Sequence, residues 1–215
     1  MADIILLSTA DWDHPIWTNK QHTALALADH GHRVIYVESL GLRAPRAGGR
    51  DARRILRRLF RIVRLPRQVA PRVWVWSPPV LPGGQSGWPL ALNRRVMKYG
   101  LKAMACWLDF NHWILWTYNP LTALYLDVRK HQACVYHCVD RIQEQPGMPT
   151  ERIDAWEERL CRAVQVVFTT SPDLQSSHRL WNHHTYFHGN VADFQHFNRA
   201  LHQPSLACPE LLTAI

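Results

Sequence analysis

Between Ser8 and Asn19 the chain has no glycine, and the first glycine in the sequence is Gly31. That absence matters because the segment follows Ile4–Leu7, a short apolar run of the kind that forms a strand buried on both faces. A dinucleotide-binding turn needs glycine at this point so that the backbone can approach a pyrophosphate. Glu38 stands where a ribose-binding acid would, but without the glycines a nicotinamide cofactor is excluded on mechanical grounds. The chain also lacks a P-loop, a G-x-S-x-G nucleophile elbow and a zinc-protease motif. No apolar run approaches the ~20 residues of a membrane span. The N-terminal apolar run is too short for a secretory leader and has no basic start, so a cytosolic protein is expected. Five cysteines (Cys106, Cys134, Cys138, Cys161 and Cys208) lack the even count of a disulfide scaffold. They sit mostly in apolar runs and are expected to be reduced core thiols. Cys134 and Cys138 with His137 have the wrong spacing for a zinc ribbon, and no second ligand pair follows, so no metal is expected.

Acid is scarce in one long stretch. From Arg43 to Arg72 there are eleven arginines and a single acid, Asp51. This basic insert, residues 43–72, concentrates much of the formal net charge of +8. Within it, residues 51–64 carry Ile55, Leu56, Leu59, Phe60, Ile62 and Val63 on one broad helical face. Arg53, Arg54, Arg57, Arg58, Arg61 and Arg64 occupy the other. Two readings of this amphipathic pattern stay open. The helix lies in an anionic bilayer interface, or it packs its apolar face on the sheet as an ordinary surface helix. Nucleic acid is not expected, because the arginines are not interleaved with aromatics and no binding motif is present.

What is there in quantity is apolar sequence, 47% of 215 residues, ample for one domain with a substantial core. The first forty residues read as strand, polar loop, helix and strand. Ala24, Leu25, Leu27 and Ala28 recur at helical spacing between Thr18 and His30, and Gly31 follows as a C-terminal stop. Arg33–Glu38 is a second buried strand. Such a βαβ unit crosses over right-handed and starts a parallel sheet. Further strands are predicted at 72–77, 112–116, 133–139, 164–169 and 185–187, with helices at 90–108, 121–130, 151–163 and 172–181. Thr150 is expected to cap the third of these helices. Seven strands alternating mostly with helices define a doubly wound, mostly parallel α/β domain. After Phe197 the pattern becomes irregular. Residues 203–215, with Pro204 and Pro209, read as an interdomain linker, as though a further domain should begin there.

In such sheets ligands bind beyond the carboxyl ends of the strands. The groups expected at that edge are Asp11, Trp12, Asp13, His14 and Trp17 after strand one, Tyr118 and Asn119 after the strand at Trp116, and Asp140 and Arg141 after Val139. Asp140 can act as general base on a sugar hydroxyl. Alternatively it is an N-cap or an ion-pair partner of Arg141. Trp12 and Trp17 either form a platform for a sugar or lipid acceptor or close the top of the sheet. His137 is read as a packing histidine.

Several of these segments together resemble one family. ALADHGHRVIYVES (26–39) after a polar strand-one loop is similar to the start of a GT-B glycosyltransferase. The Tyr118-Asn119-Pro120 turn and YHCVDR ending past Asp140 are similar to bacterial family-4 and family-1-like members. VVFTTSPDLQSSHRLWN followed by HGNVADFQHF resembles the segment that closes their N-terminal domain, carried here by Ser171, Leu174, Asn190, Val191, Asp193 and Phe197. The pattern departs in that Gly189 precedes Asn190 and Ala192 separates Val191 from Asp193. The resemblance covers residues 3–202. It implies a Rossmann-like acceptor-binding domain over 1–202, with Asn190 and Asp193 at the domain junction. It also implies a nucleotide-sugar donor held mainly by a C-terminal domain that this chain does not carry. No metal and no cofactor would be required, and the acceptor would be a glycan or lipid-linked acceptor. The family's basic docking surfaces also favour the membrane reading of the arginine helix, with a cytoplasmic location, peripheral on the inner face of the membrane. The chain alone is then expected to be inactive, and a separate donor-domain chain is one way to complete it. Two other readings compete: a non-catalytic membrane-associated binding or regulatory module, and a stand-alone flavodoxin-like or phosphate-binding protein, against which the missing glycine loop counts.

Overall fold

The computed structural model describes residues 1–40, 66–81, 84–131, 133–144 and 150–190, together with 194, 198, 199 and 202. The predicted basic helix at 51–64, with Arg53, Arg54, Arg57, Arg58, Arg61 and Arg64, lies outside the described residues, as do Asp193 and the linker 203–215.

The chain begins with β1 (Asp3–Leu7), α1 (Asn19–Asp29) and β2 (Arg33–Val37). Next come β3 (Arg67–Ala70), β4 (Val73–Trp76), the long α2 (Gly87–Trp107) and β5 (Trp113–Thr117). Then follow α3 (Thr122–Tyr125), β6 (Ala133–Cys138), α4 (Thr150–Cys161), β7 (Val166–Thr169), α5 (Pro172–Arg179) and β8 (Thr185–Phe187). Single 3-10 turns occupy Val128–Lys130 and Ile142–Glu144. The strands form one sheet in the order β3-β4-β2-β1-β5-β6-β7-β8. Every pairing is parallel except that of β3 with β4. The order reverses direction between β1 and β5, the topological switch point of a Rossmann-like doubly wound fold.

Alternation within the strands builds two cores. Ile5, Leu7, Ile35, Val37, Leu115, Cys134, Tyr136, Cys138 and Val167 face the layer of α2 to α5. Ile4, Leu6, Val34, Tyr36, Val73 and Val75 face the other side, where α1 packs through Ala24 and Ala28. Both faces of β1 and β2 are therefore buried, which is why these strands read as continuous apolar runs. Helix α1 stops as its sequence suggests. Gly31 takes φ +88°, its N–H reaches the Ala28 carbonyl at 2.9 Å, and the His32 N–H reaches Leu27 at 3.1 Å.

Among the described residues there are eight strands, one more than the pattern predicts. The extra strand, β3, is short and polar and pairs antiparallel at the edge of the sheet. Arg72, expected inside a strand, instead turns the β3–β4 hairpin at φ 63°. The predicted helix over 121–130 is broken into α3 and a 3-10 turn. Thr150, expected as a cap, is already within α4.

The amino edge of the sheet is fastened by Arg33. Its guanidinium holds the Asp3 carboxylate through two bonds of 2.7 and 2.8 Å and donates to the Leu108 and Asp109 carbonyls, each at 3.0 Å. It also lies 4.6 Å from the Phe110 ring centroid. Helix α2 packs close to β4 because residue 100 is glycine. A Cβ there would overlap the Cη2–Cζ2 edge of the Trp76 ring. Gly100→Ala is therefore expected to lower stability by about 2 kcal/mol despite alanine's better helix propensity, read as a shift in the urea midpoint.

Under the helical layer, Glu157 sits on the buried stripe of α4 between Ile153 and Leu160. Its Oε1 accepts from the Tyr136 hydroxyl and the Cys138 thiol, the latter at 3.6 Å, and lies 3.3 Å from His178 Nε2. Its Oε2 accepts from Gln143 at 3.3 Å. Burial pushes the carboxyl up, but the His178 and Tyr136 donors outweigh it and hold it below the ordinary value. A lowered folded-state value contributes stability above the unfolded carboxylate range, and that contribution is lost as pH falls through the folded value. Glu157→Gln is expected to cost about 3 kcal/mol at neutral pH and to flatten the acid limb of the stability–pH curve, checked by urea titration from pH 7 to pH 3.

Candidate functional site

The loop after β1 is held down by two buried side chains. Glu38, at the carboxyl end of β2, accepts the Trp12 backbone N–H at 2.8 Å and the Ser77 hydroxyl. Gln21, in the first turn of α1, accepts the Thr18 N–H at 3.1 Å and donates to the Asp11 carbonyl at 3.0 Å. Tyr36 adds a third tie, donating from its hydroxyl to the Ala10 carbonyl at 3.0 Å. The acid that would face a ribose in a dinucleotide fold is thus engaged in shaping the loop.

The predicted loop residues have separate fates. Trp12 is buried edge-on against Tyr36, with ring centroids 5.0 Å apart, so it closes the top of the sheet. Trp17 is 40% exposed and packs on Trp12 at 5.2 Å, leaving an accessible ring at the rim. Asp13 forms a two-oxygen ion pair with Arg67 of β3 at 2.6 and 2.7 Å. His14 Nδ1 lies 2.8 Å from the Ile16 carbonyl within the loop itself. Asp11 is half-buried and contributes its carbonyl to the Gln21 bond.

Across the switch point, Asn119 Oδ1 accepts the Leu121 N–H at 2.9 Å, and the Asn119 carbonyl accepts from the Thr122 hydroxyl at 2.7 Å. Asn119 therefore builds the turn that carries Tyr118. The Tyr118 hydroxyl donates to Thr23 on α1 at 2.8 Å, and burial pushes its phenol up to about 12. On one side of its ring lies Lys20, with Nζ 5.7 Å from the centroid. His137 stacks on it at 4.7 Å with a 30° tilt.

His137 belongs to this site as well as to the packing. It pairs in register with Phe168 of β7, which pairs with Tyr186 of β8. Trp116, His137, Phe168 and His188 form a chain of ring contacts across β5 to β8, with centroids 5.2 to 6.1 Å apart. His137 Nδ1 is buried and has no hydrogen-bond partner among the described residues. Burial, with the Lys20 and His188 charges, lowers its pKa to about 4. The strand places Cys134 and Cys138 in the opposite core from His137, so these three do not converge. Cys138 converges instead with Glu157 and His178, whose ligand atoms lie within 4.8 Å of one another inside the hydrogen-bonded network already described.

Asp140 is exposed just past β6. Arg141 does not pair with it but with Asp173 at 2.6 Å and Glu144 at 3.7 Å. Lys20 feels the Asp140 charge: burial lowers the pKa of its ammonium and Asp140 raises it in part. Asn190 is brought to the same rim, accepting from Asn19 Nδ2 at 2.6 Å across 171 residues of sequence. The structure thus gathers Trp17, Tyr118, Asp140 and Asn190 from the predicted set and adds Lys20, His137, Phe168 and His188.

The chain matches no family model and no curated protein. Its fold and the position of these residues define it as a Rossmann-like α/β domain with a polar, aromatic-lined carboxyl edge. No helix among the described residues is long and apolar enough to cross a membrane.

In an NMR titration the His137 ring is expected to stay neutral until the pH falls to about 4. Lys20→Met removes a positive neighbour and should move that midpoint upward. The neutral ring favours the folded state above the unfolded histidine value, and this is lost as pH falls from about 6.5 toward the folded value.

Proposed function

We propose that this chain is the acceptor-binding domain of a glycosyltransferase, orienting a hydroxyl of a glycan or lipid-linked acceptor toward a sugar carried by a nucleotide donor. The observation that carries the reading is the exposed Asp140 carboxylate at the carboxyl edge of the sheet, its charge felt by Lys20 beside the stacked Tyr118 and His137 rings. The exposed ring of Trp17 at the same edge suits a sugar, whose C–H faces stack while its hydroxyls pair with charge. Asp140 takes the acceptor proton as the acceptor oxygen bonds to the anomeric carbon of the sugar, while the nucleotide leaves with the electrons of its broken bond to that carbon. Trp17 positions the acceptor at the rim, where Asn190 also lies, and Tyr118, buried beneath, supports Lys20 and His137. The engagement of Glu38 and the glycine-free loop favour an acceptor over a dinucleotide. The nucleotide-sugar is a substrate held mainly by a donor domain, and no cofactor enters the reaction. The resemblance in the segments ending at Asp140 and Phe197 supports the same assignment.

Titrating isotope-labelled chain with bacterial glycolipid extract in micelles should perturb Trp17, Tyr118 and His137. NADH binding at this edge, with no response to any glycolipid or sugar, would overturn the proposal. In an enzyme assembled from this chain and its donor domain, Asp140→Asn is expected to lower turnover by roughly 10²- to 10⁴-fold with an unchanged urea midpoint. Equal loss of turnover and stability would instead assign Asp140 to the turn that precedes Ile142.

A further inference from the structure

Helix α2 presents a second surface of definite chemistry. Its inner line, Asn93, Met97, Leu101 and Met104, is buried against the sheet. Its outer line runs Trp88, Leu92, Arg95, Tyr99, Lys102 and Cys106, spaced 4-3-4-3-4, so all six share the face opposite the core. The apolar members are unusually exposed: Trp88 at 73%, Leu92 at 41% and Tyr99 at 61%, with Trp107 at 60% just beside them. In its 21 residues α2 has four cations, Arg94, Arg95, Lys98 and Lys102, and no acid. Arg94 turns back to the Leu124 carbonyl at 2.7 Å, which leaves Arg95, Lys98 and Lys102 for the outer face.

We propose that the outer face of α2 docks on an anionic lipid bilayer, lying flat in the headgroup region. The two tryptophans stand near the two ends of a helix about 30 Å long, where amphipathic rings settle at an interface. Arg95, Lys98 and Lys102 extend past the rings to lipid phosphates while their stems cover apolar surface. A second copy of the chain fits this face poorly. A twofold seam would gather the Arg95, Lys98 and Lys102 cations of both copies into one interface with no acid on either helix, and like charges repel across a desolvated interface. The proposal does not depend on sugar transfer, nor on the arginines between 53 and 64.

Cys106 supplies the probe. It is exposed on the docking line, whereas Cys134, Cys138 and Cys161 are buried. The full chain carrying Cys208→Ser is labelled at Cys106 with a polarity-sensitive dye and mixed with vesicles of phosphatidylcholine alone or with 30% phosphatidylglycerol (roughly the anionic content that polybasic surfaces require). The dye is expected to shift to the blue on the anionic vesicles only, and to return in high salt. Arg95→Gln with Lys102→Gln should weaken binding by roughly 30-fold, at about fivefold per cation. Trp88→Ser with Trp107→Ser should weaken it with the salt dependence retained. Since these side chains are exposed, the urea midpoint should not move. Three outcomes would overturn the proposal. The chain binds vesicles while the dye stays in water, which assigns docking to another surface. The dye shifts without vesicles as protein concentration rises, which makes this face a self-association seam. No vesicle binding occurs at low salt.

Discussion

The geometry of the carboxyl edge rests on one buried carboxylate. Glu38 takes the Trp12 N–H from the loop after β1 and the Ser77 hydroxyl from the end of β4, so three neighbouring strands share a single acceptor group. An eleven-residue loop without glycine has few ways to fold compactly. It folds here because a backbone donor at its centre finds a charged acceptor in a desolvated position, where such bonds are strongest. With Trp12 drawn down, Trp17 is carried to the rim, and Gln21 links the loop to the start of α1. Lys20 stands next to Gln21, so its approach to Tyr118 and Asp140 follows from the same anchorage.

The two faces of the sheet are unequal, and this asymmetry places the chemistry. The face toward α2 to α5 is closed by an apolar core that encloses several hydrogen-bonded polar groups, among them Glu157, Asn93 and the Thr117–Thr122 pair. On the other face, α1 covers β1 and β2, while Trp116, His137 and Phe168 of β5 to β7 are only partly buried. Aromatic rings pack against one another there instead of against a helix among the described residues. His137, whose Nδ1 has no hydrogen-bond partner among the described residues, is kept uncharged there because burial disfavours its protonated form.

Much of the architecture was legible in the sequence because parallel strands buried on both faces leave runs such as IILL and VIYV that little else produces. The edge strand β3 was not legible, since it is four residues long, Arg67 and Gln68 are polar and exposed, and what fixes it is pairing with β4 and the Arg67–Asp13 ion pair. Nor was the break after Tyr125, where Leu126 adopts an extended conformation inside an otherwise helical composition. At the site, single positions such as Trp17, Tyr118 and Asp140 could be placed at strand ends. The partners Lys20, His137 and His188 could not, because their meeting depends on sheet order and on register between strands more than thirty residues apart. Glu157 left one faint signal, an acid flanked at helical spacing by Ile153 and Leu160, which marks a buried charge needing donors.

Because α2 leads from the end of β4 back to the start of β5, its axis runs against the strand direction, and Arg33 bolts its C-terminal end to the feet of β1 and β2. Helix and sheet therefore turn as one rigid plate. Any plane that holds the helix flat also holds the strands level, so the rim bearing Trp17 and Asp140 would open sideways, like the mouth of a drawer. A molecule confined to that plane would arrive by sliding along it, with its search reduced from three dimensions to two.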